Sequence, residues 1–364
     1  MKSNLFVFLA LIFFASPAKA EINIHGFGDL VTSQSNSDYA VNSIGNRGKT
    51  IGFDEESRLG LNLSSELGEK LSFASQIVAR GAGGGYYNLR ADWLFLTYRA
   101  TEHWSFRMGR QIIPAFIFSE QTDVGYTYIW ARLPHQVYGT FPVKSVNGVS
   151  ALYTVFFGKA QLVVQAFAGG GELVLPGLSA GGAPSDITTS ANALKGAAAT
   201  LTVNDFKFHL HYNSSNHSKV YFSPSLPSSD LKFLQVFTAG ASYDSSKFLV
   251  IAEGIRALGN SGILDSTTAG YTTFGYHVTP VFTPYISGAW RDSISATMSG
   301  HPSVAVPTPR TYLTSTYAYS GGLNFRLGLS TVLKAEFMRT GFRFVDNSLN
   351  YRVNTVTASA DFVF

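Results

Sequence analysis

The sequence predicts an all-β protein: a transmembrane antiparallel β-barrel of about 16 strands, with a long constriction loop folded inward after strand 5. Three observations predict it. Apolar and polar residues alternate along most of the chain, which is typical of half-buried strands. Connections between these segments alternate between short and long. Only 14% of residues are charged, against roughly 25% in typical soluble chains.

Residues 1–20 are predicted to be a cleaved signal peptide. Lys2 supplies the positive start, and Leu5–Ala15 is an apolar run of signal-peptide length. Ala18-Lys19-Ala20 has the small-residue spacing of a cleavage site. The run is too short to span a bilayer, which takes roughly 20 apolar residues. Residues 21–364 are then predicted to form one barrel domain.

The alternation marks each strand in turn. Leu59, Leu61 and Leu63 share one face of their segment, while Arg58 and Asn62 lie on the other. For the fourth, eleventh and twelfth segments, where alternation fails, the sequence does not decide which residues face inward and which face outward. The predicted strands lie near 22–34, 56–67, 71–81, 89–100, 104–113, 148–157, 160–171, 194–204, 206–215, 232–243, 247–257, 268–279, 282–293, 314–327, 330–343 and 351–364.

The connections separate the two ends of the predicted barrel. Short turns such as 158–159 and 204–205 alternate with long loops such as 172–193 and 294–313. Short turns on one rim and longer loops on the other are typical of bacterial outer-membrane barrels, which have an even number of strands. Because lipid offers the backbone no hydrogen bonds, such a sheet must close on itself.

The connection at about 114–147 differs from the other long loops. It follows the fifth strand at Pro114 and contains many aromatic residues but little serine or glycine. Long connections in compact domains are usually functional or disordered, and this composition is not that of a disordered segment. We therefore expect the segment to pack inside the barrel.

Two stretches and the C-terminus resemble a known family. Ser57–Phe73, Met108–Tyr126 and the terminal Phe364 are similar to the corresponding parts of general porins from Gram-negative outer membranes. The resemblance implies a water-filled channel for passive diffusion of small hydrophilic solutes and ions. It also implies a loop that narrows the lumen, a homotrimer, surrounding lipid and lipopolysaccharide, and Phe364 as the signal read by the barrel-assembly machinery.

Charged residues near the long loop are the candidate constriction. A basic wall opposite an acidic loop would set up a transverse field across the lumen. Alternation places Arg110 on the face opposite Arg107, but a bulge at Gly109 would turn it inward, as the resemblance to porins implies. The alternative is that the loop carboxylates pair with the arginines and hold the loop. The predicted constriction residues are Arg58, Arg80, Arg107, Arg110, Glu120 and Asp123.

Polar residues on other strands are expected to line the rest of the lumen. They give a modest basic excess, which predicts a mild preference for anions. The net charge is +4, or about +2 without Lys2 and Lys19, too small to indicate a nucleic-acid partner. The predicted lining residues are Lys207, His209, His211, Arg291, Arg326, Lys334 and Glu336.

The sequence gives little support to other kinds of site. His209 and His211 share a face, but a metal site needs at least a third ligand. Gly48-Lys49-Thr50 lacks the glycine five residues earlier that a phosphate-binding loop needs. Gly177-Leu178-Ser179-Ala180-Gly181 lies in a long loop and not between a strand and a helix, as a nucleophile elbow does. We therefore expect no cofactor and no enzyme activity. The alternatives left open are a substrate-selective channel of the same fold, an outer-membrane barrel enzyme or adhesin, and a soluble secreted β protein.

Overall fold

The computed structural model describes residues 21–37, 49, 51–53, 55–83, 86–141, 144–175, 187–221, 229–259, 266–296, 311–344 and 351–364. Sixteen antiparallel strands form a closed barrel, in which each strand pairs with its sequence neighbours and the first pairs with the last. The strands are β1 Ile22–Ser35, β2 Arg58–Glu66, β3 Leu71–Gly83, β4 Tyr86–Arg99, β5 Trp104–Ile112, β6 Ser145–Phe157, β7 Ala160–Leu175, β8 Ile187–Val203, β9 Phe206–Tyr221, β10 Ser229–Asp244, β11 Phe248–Gly259, β12 Ser266–Tyr276, β13 Phe282–Ala296, β14 Thr311–Leu327, β15 Thr331–Phe344 and β16 Tyr351–Val363.

The predicted fold class is confirmed, and most strands are longer than predicted at the end that carries the long loops. For example, β9 runs to Tyr221 and β8 begins at Ile187. These extensions contain many polar and small residues, so their two faces do not differ in polarity. Their pairing with neighbouring strands, rather than a hydrophobic pattern, defines them.

The outer face of the barrel is apolar and the inner face is largely polar, as a position in a membrane requires. On β15, Leu333 and Phe337 are exposed on the outer face, while Lys334, Glu336 and Thr340 are buried on the inner face. Exposed aromatic side chains also recur at the short-turn rim, where Tyr and Trp are favoured at a membrane–water boundary. They are Tyr98, Trp104, Phe157, Phe206, Phe248, Tyr276, Phe325 and Phe364.

Both ends of the barrel sequence meet at the short-turn rim. Phe364 and Gly26 exchange two backbone hydrogen bonds, and the Phe364 ring covers Gly26, where a side chain would clash with it. This contact closes the sheet, so no free edge is left. The predicted signal peptide at 1–20 lies outside the described residues.

The connection between β5 and β6 contains the short helix α1, His135–Tyr138, and single turns of 3-10 helix at Ser119–Gln121 and Gly125–Thr127. We call residues 113–141, together with Lys144, the inner loop. Its residues contact inward-facing side chains of strands on opposite sides of the barrel, so it lies within the lumen. In the described part of the chain, no helix has the length and apolar character needed to cross a membrane.

Candidate pore constriction

One side of the inner loop packs against an apolar part of the barrel wall. Phe116, Trp130 and Val137 are buried against inward side chains of β11 and β12, including Ile251 and Tyr271. Removal of apolar surface from water stabilises such contacts by about 25 cal/mol per Å². The aromatic content of the loop therefore has a structural cause: it supplies a core inside the barrel.

Glu253 on β11 fixes this side of the loop with three hydrogen bonds. Its carboxylate accepts from the Ile117 backbone N–H at 2.7 Å, from the Tyr138 hydroxyl at 2.5 Å and from the Tyr271 hydroxyl at 2.6 Å. Burial and the neighbouring Glu253 carboxylate raise the pKa of Tyr138 well above its ordinary value. Tyr138 thus stays a hydrogen-bond donor.

His209 and His211 do face inward, but the loop covers both, so neither lines open water. His209 Nε2 lies 2.9 Å from the Pro114 carbonyl oxygen, where the loop begins. The His211 ring is stacked on Phe167 and touches the edge of Phe141. The prediction of two lumen-lining histidines is wrong because the apolar loop occupies their side of the barrel.

The other side of the loop is held by ion pairs with β2 and β3. Asp123 Oδ1 lies 3.1 Å from Arg58 Nη1 and 2.8 Å from Arg80 Nε. Burial alone would raise the pKa of Asp123, but Arg80 and Arg58 hold it well below its usual range. Arg80 also pairs with Asp92, and Arg58 Nε lies 3.0 Å from Asp29.

These contacts correct the predicted transverse field. Arg58 and Arg80 touch Asp123 directly, so their charges neutralise one another instead of facing each other across water. The alternative interpretation, in which the acidic residue pairs with the arginines and holds the loop, describes this position. A buried network of this kind is costly to break because it would leave uncompensated charges.

Arg107 and Glu120 form a looser and wetter pair. Arg107 Nη1 and Glu120 Oε1 are 3.7 Å apart, and the side chains are 25% and 51% exposed. Arg107 also lies 4.9 Å from the centre of the inward Phe95 ring. Of the predicted constriction residues, Glu120 is the most exposed, and its distance from Arg107 is longer than those in the Asp123 ion pairs.

Arg110 lies on the outer face of the wall, so its predicted place in the constriction is wrong. The β4–β5 ladder runs without a register shift, with Arg110 opposite the exposed Leu94 and Arg107 opposite Thr97. Gly109 does have a positive φ of 133°, but this residue does not add an unpaired position. The alternation is therefore preserved across it.

Lys334 and Glu336 are buried in contacts and are not free lumen charges. The Lys334 ammonium donates to the carbonyl oxygens of Gly125 at 2.6 Å and Trp130 at 2.8 Å, and it pairs with Asp361 at 2.8 Å. Glu336 accepts a hydrogen bond from the Tyr285 hydroxyl at 2.6 Å. Lys334 thus anchors the loop to β15, four strands away from Glu253 on β11.

The remaining predicted lining residues face the lumen. Lys207 and Arg291 lie on the inner faces of β9 and β13 and are half-buried. Arg326 lies 5.7 Å from the centre of the Tyr126 ring near the short-turn rim. Arg90 joins this set, because it pairs across the ladder with the buried Val78. Among the described residues, no carboxylate lies within salt-bridge distance of Arg90, Lys207 or Arg291.

Sequence reasoning missed the residues that anchor the loop. Glu253 lies on a strand whose faces could not be told apart, and Asp29 and Asp361 were not assigned to the site. Each is the single acidic residue of its strand, which is the signal that could have indicated a partner inside the barrel. The described residues contain no group of three His, Asp or Glu side chains arranged as metal ligands.

Solved structures of outer-membrane channels share this fold. No family model and no curated relative matches the sequence. The outer membrane channel DcaP of Acinetobacter baumannii matches with a TM-score of 0.59 at 17% identity, covering 96% of this chain and 99% of that one. The anion-selective porin from Comamonas acidovorans gives 0.58 at 13%, covering 95% and 100%. The trimer form of OmpT, an outer membrane protein of Vibrio cholerae, gives 0.57 at 12%, covering 94% and 99%. The chain therefore has the fold of Gram-negative outer-membrane porins.

Proposed function

We propose that this protein is an outer-membrane porin, a water-filled channel through which small hydrophilic solutes and ions diffuse passively. The observation that carries the proposal is the inner loop, which is anchored within a closed barrel by Glu253 on one wall and by Lys334 on another. Arg107 and Glu120 remain exposed beside it. A fixed loop with charged groups in water is how a channel limits the size and charge of its solutes.

The charge balance of the lumen supports a mild preference for anions. The inward carboxylates Asp29, Asp123 and Asp361 each have a cationic partner. Arg90 and Arg291, by contrast, have no carboxylate partner among the described residues. Unneutralised cations along a pore lower the free energy of a passing anion relative to a cation. The similar Comamonas acidovorans protein is described as an anion-selective porin.

The proposal extends to location and partners. Export through the signal peptide at 1–20 and insertion into the outer membrane would place the barrel among lipid and lipopolysaccharide. The barrel-assembly machinery would read the C-terminal strand that ends in Phe364. A homotrimer is supported by the trimer form of the similar Vibrio cholerae protein. We propose no catalytic activity.

A substrate-selective channel of the same fold is the second candidate. It is favoured by the extent of the inner loop, which contacts β2 and β3 through Asp123 and β9 through Pro114. A loop that bridges opposite walls leaves a narrow route for solutes. Such a channel would show saturable block of its ionic current by one class of solute.

Planar-bilayer recording tests both candidates. The purified full-length protein is folded in detergent and added to a bilayer bathed in potassium chloride. We expect stepwise current increments and, in a salt gradient, a reversal potential on the anion-preferring side. A bilayer that stays electrically silent would contradict the channel. Saturable block by a single solute, without general permeability, would favour the selective channel instead.

A further inference from the structure

Three arginines lie on the outer face of the barrel, where they take no part in conduction through the lumen. Arg339 and Arg343 on β15 and Arg352 on β16 are exposed. Thr340 and Phe342, which alternate with them on β15, are buried on the inner face. The three guanidinium groups therefore extend away from the lumen, toward whatever surrounds the barrel.

The arginines surround a glycine covered by a tyrosine ring. Gly341 pairs in the ladder with Tyr317 on β14 and with Arg352 on β16. A side chain at Gly341 would lie 2.1 Å from the Tyr317 ring, so the ring lies across the glycine. Arg343 is 5.1 Å from the ring centre, and Arg352 hydrogen-bonds the Tyr317 hydroxyl. The ring thus holds two guanidinium groups on the same patch of surface.

No neighbouring carboxylate neutralises this cluster within the described part of the chain. None of the described outward residues of β14, β15 and β16 is Asp or Glu. The outward Asp292 on β13 pairs with Ser315, and Ser315 in turn pairs with Arg343, so a whole strand separates the two charges. Like charges held together repel one another, and an anion from outside the protein would relieve that repulsion.

The position of the arginine cluster along the barrel axis indicates which kind of anion it would bind. The outer face is apolar as far as Phe337 on β15 and Val356 on β16. The next outward positions are Arg339 and Asn354. Arginine within the hydrocarbon region is costly, whereas lipid headgroups lie just beyond the apolar band. The cluster is at the end of the barrel with long loops, which in such barrels faces the cell exterior.

We propose that Arg339, Arg343 and Arg352, on the Tyr317 platform, bind the phosphate groups of a phosphorylated lipid in the outer leaflet. The planar guanidinium fork matches phosphate oxygens with two parallel hydrogen bonds, which makes arginine well suited to this ligand. The inference rests on the membrane location in the proposed function, but it does not depend on conduction.

Lipid binding to the full-length protein in detergent micelles tests the site. The probes are a diphosphorylated glucosamine lipid (lipid A), the same lipid with its phosphates removed, and inorganic phosphate, with bound lipid measured by native mass spectrometry. Arg343→Ser/Arg352→Ser is compared with Lys195→Ser/Arg256→Ser. The control pair is also exposed and outward, but its two charges lie on β8 and β11, which are not neighbouring strands, so they do not form a cluster.

We expect the phosphorylated lipid to bind about tenfold or more weakly to Arg343→Ser/Arg352→Ser, and the control to bind like the wild type. Equal binding by all three proteins, or equal weakening in both variants, would overturn the site. Equal affinity for the dephosphorylated lipid would overturn phosphate recognition. Displacement of the lipid by an equal concentration of inorganic phosphate would overturn the lipid as ligand.

Conductance separates this inference from the channel itself. Both variants should conduct like the wild type, which shows that the barrels are folded, because the substituted residues do not face the lumen. If the wild type binds the lipid but does not conduct, and Arg343→Ser/Arg352→Ser binds the lipid more weakly, the channel is contradicted and the lipid site is supported. If it conducts but the variant binds lipid unchanged, the lipid site alone is overturned.

Discussion

Arg107 and Arg110 are three residues apart on β5, yet they lie on opposite faces of the wall. Arg107 meets water beside Glu120, while Arg110 shares the outer face with the exposed Met108. The strand repeats every two residues, so an odd separation changes the face unless a bulge adds a residue. A positive φ at Gly109 is not sufficient to do that.

This difference predicts unequal effects of two matched substitutions. Arg107→Ser removes a positive charge that faces the lumen, so the reversal potential in a salt gradient should move toward cation preference. Arg110→Ser removes the same charge from the outer face and should leave the reversal potential unchanged. Equal shifts in the two variants would contradict the assigned faces.

Glu253 is the residue whose loss should free the loop most directly. Glu253→Gln replaces an acceptor-only carboxylate that binds Ile117, Tyr138 and Tyr271. Because hydrogen bonds to a charged group contribute about 1.5–3 kcal/mol each, we expect hydrogen exchange in the loop backbone to become about tenfold faster or more.

Glu336→Gln provides the matched control for this prediction. Glu336 is also buried on the inner wall, but its hydrogen bond goes to Tyr285 on β13 and not to the loop backbone. Exchange at the Ile117 amide should stay close to the wild-type rate in this variant. If both substitutions accelerate exchange equally, Glu253 has no special role in holding the loop.

At the scale of elements, the inner loop explains for which strands the inward and outward faces could be predicted from the sequence. The outward and inward faces of β14 and β15 follow from alternation alone. The faces of β11 were left open because Leu249, Ile251 and Ile255 face inward against the loop, so both faces are apolar. On β4 the residue Asp92 is skipped in the pairing with β3, because Gln76 pairs with Trp93 and Ile77 pairs with Ala91, and this irregularity interrupts the alternation.

The same reasoning explains what the sequence showed of the site. The existence of an inward loop follows from its length and aromatic content. Its docking does not, because the residues that hold it come from distant strands: Lys334 and Glu253 are not near the loop in the chain. Asp123 pairs directly with Arg80, and no sequence spacing distinguishes that contact from two charges across water.

The helix α1 gives the loop a predicted pH response. Burial, with Arg291 and Arg132 nearby, lowers the pKa of His135 to about 3, so the docked loop keeps this residue neutral. A displaced loop would bind a proton below about pH 6.5. Docking is therefore weakened as pH falls from 6.5 toward 3. The ratio of displaced to docked loop rises by up to about tenfold for each pH unit in this range.

Asp123 does not contribute to this response in the same window. Its lowered pKa stabilises docking above about pH 4, and that stabilisation is lost only at lower pH. Single-channel records at pH 7 and pH 4.5 should show more high-conductance episodes at pH 4.5. His135→Gln should reduce this difference, and an identical pH response in the variant would exclude His135 as its source.

Removal of the loop tests its place in the lumen. Deletion of Phe116–Val137 takes away most of the aromatic core of the loop, the Asp123 ion pairs and the Ile117 hydrogen bond to Glu253 together. The barrel hydrogen bonds do not involve this segment, so the sheet should still close. Conductance should increase because the lumen widens, and an unchanged conductance would mean that the loop does not limit the current.

At the scale of the whole molecule, closure depends on the contact between the chain ends. β1 and β16 pair from Phe27 with Val363 to Ser35 with Thr355, and Gly26 with Phe364 completes the ladder. The Phe362 ring lies over Gly28 as the Phe364 ring lies over Gly26. Two aromatic rings over two glycines fix the register at the short-turn rim, where a slip would turn every side chain to the other face.

Deletion of Phe364 should therefore reduce assembly and leave conduction intact. The variant loses two backbone hydrogen bonds and the ring over Gly26, but no residue of the lumen. We expect less folded barrel in the outer membrane, measured as the fraction that migrates as the compact form on a gel without heating. The channels that do form should have wild-type single-channel conductance. Phe364→Tyr keeps the ring and the backbone contacts, so its assembly should match the wild type. Normal assembly of the deletion would show that closure does not need this residue, whereas altered conductance would show that the C-terminal contact reaches the pore.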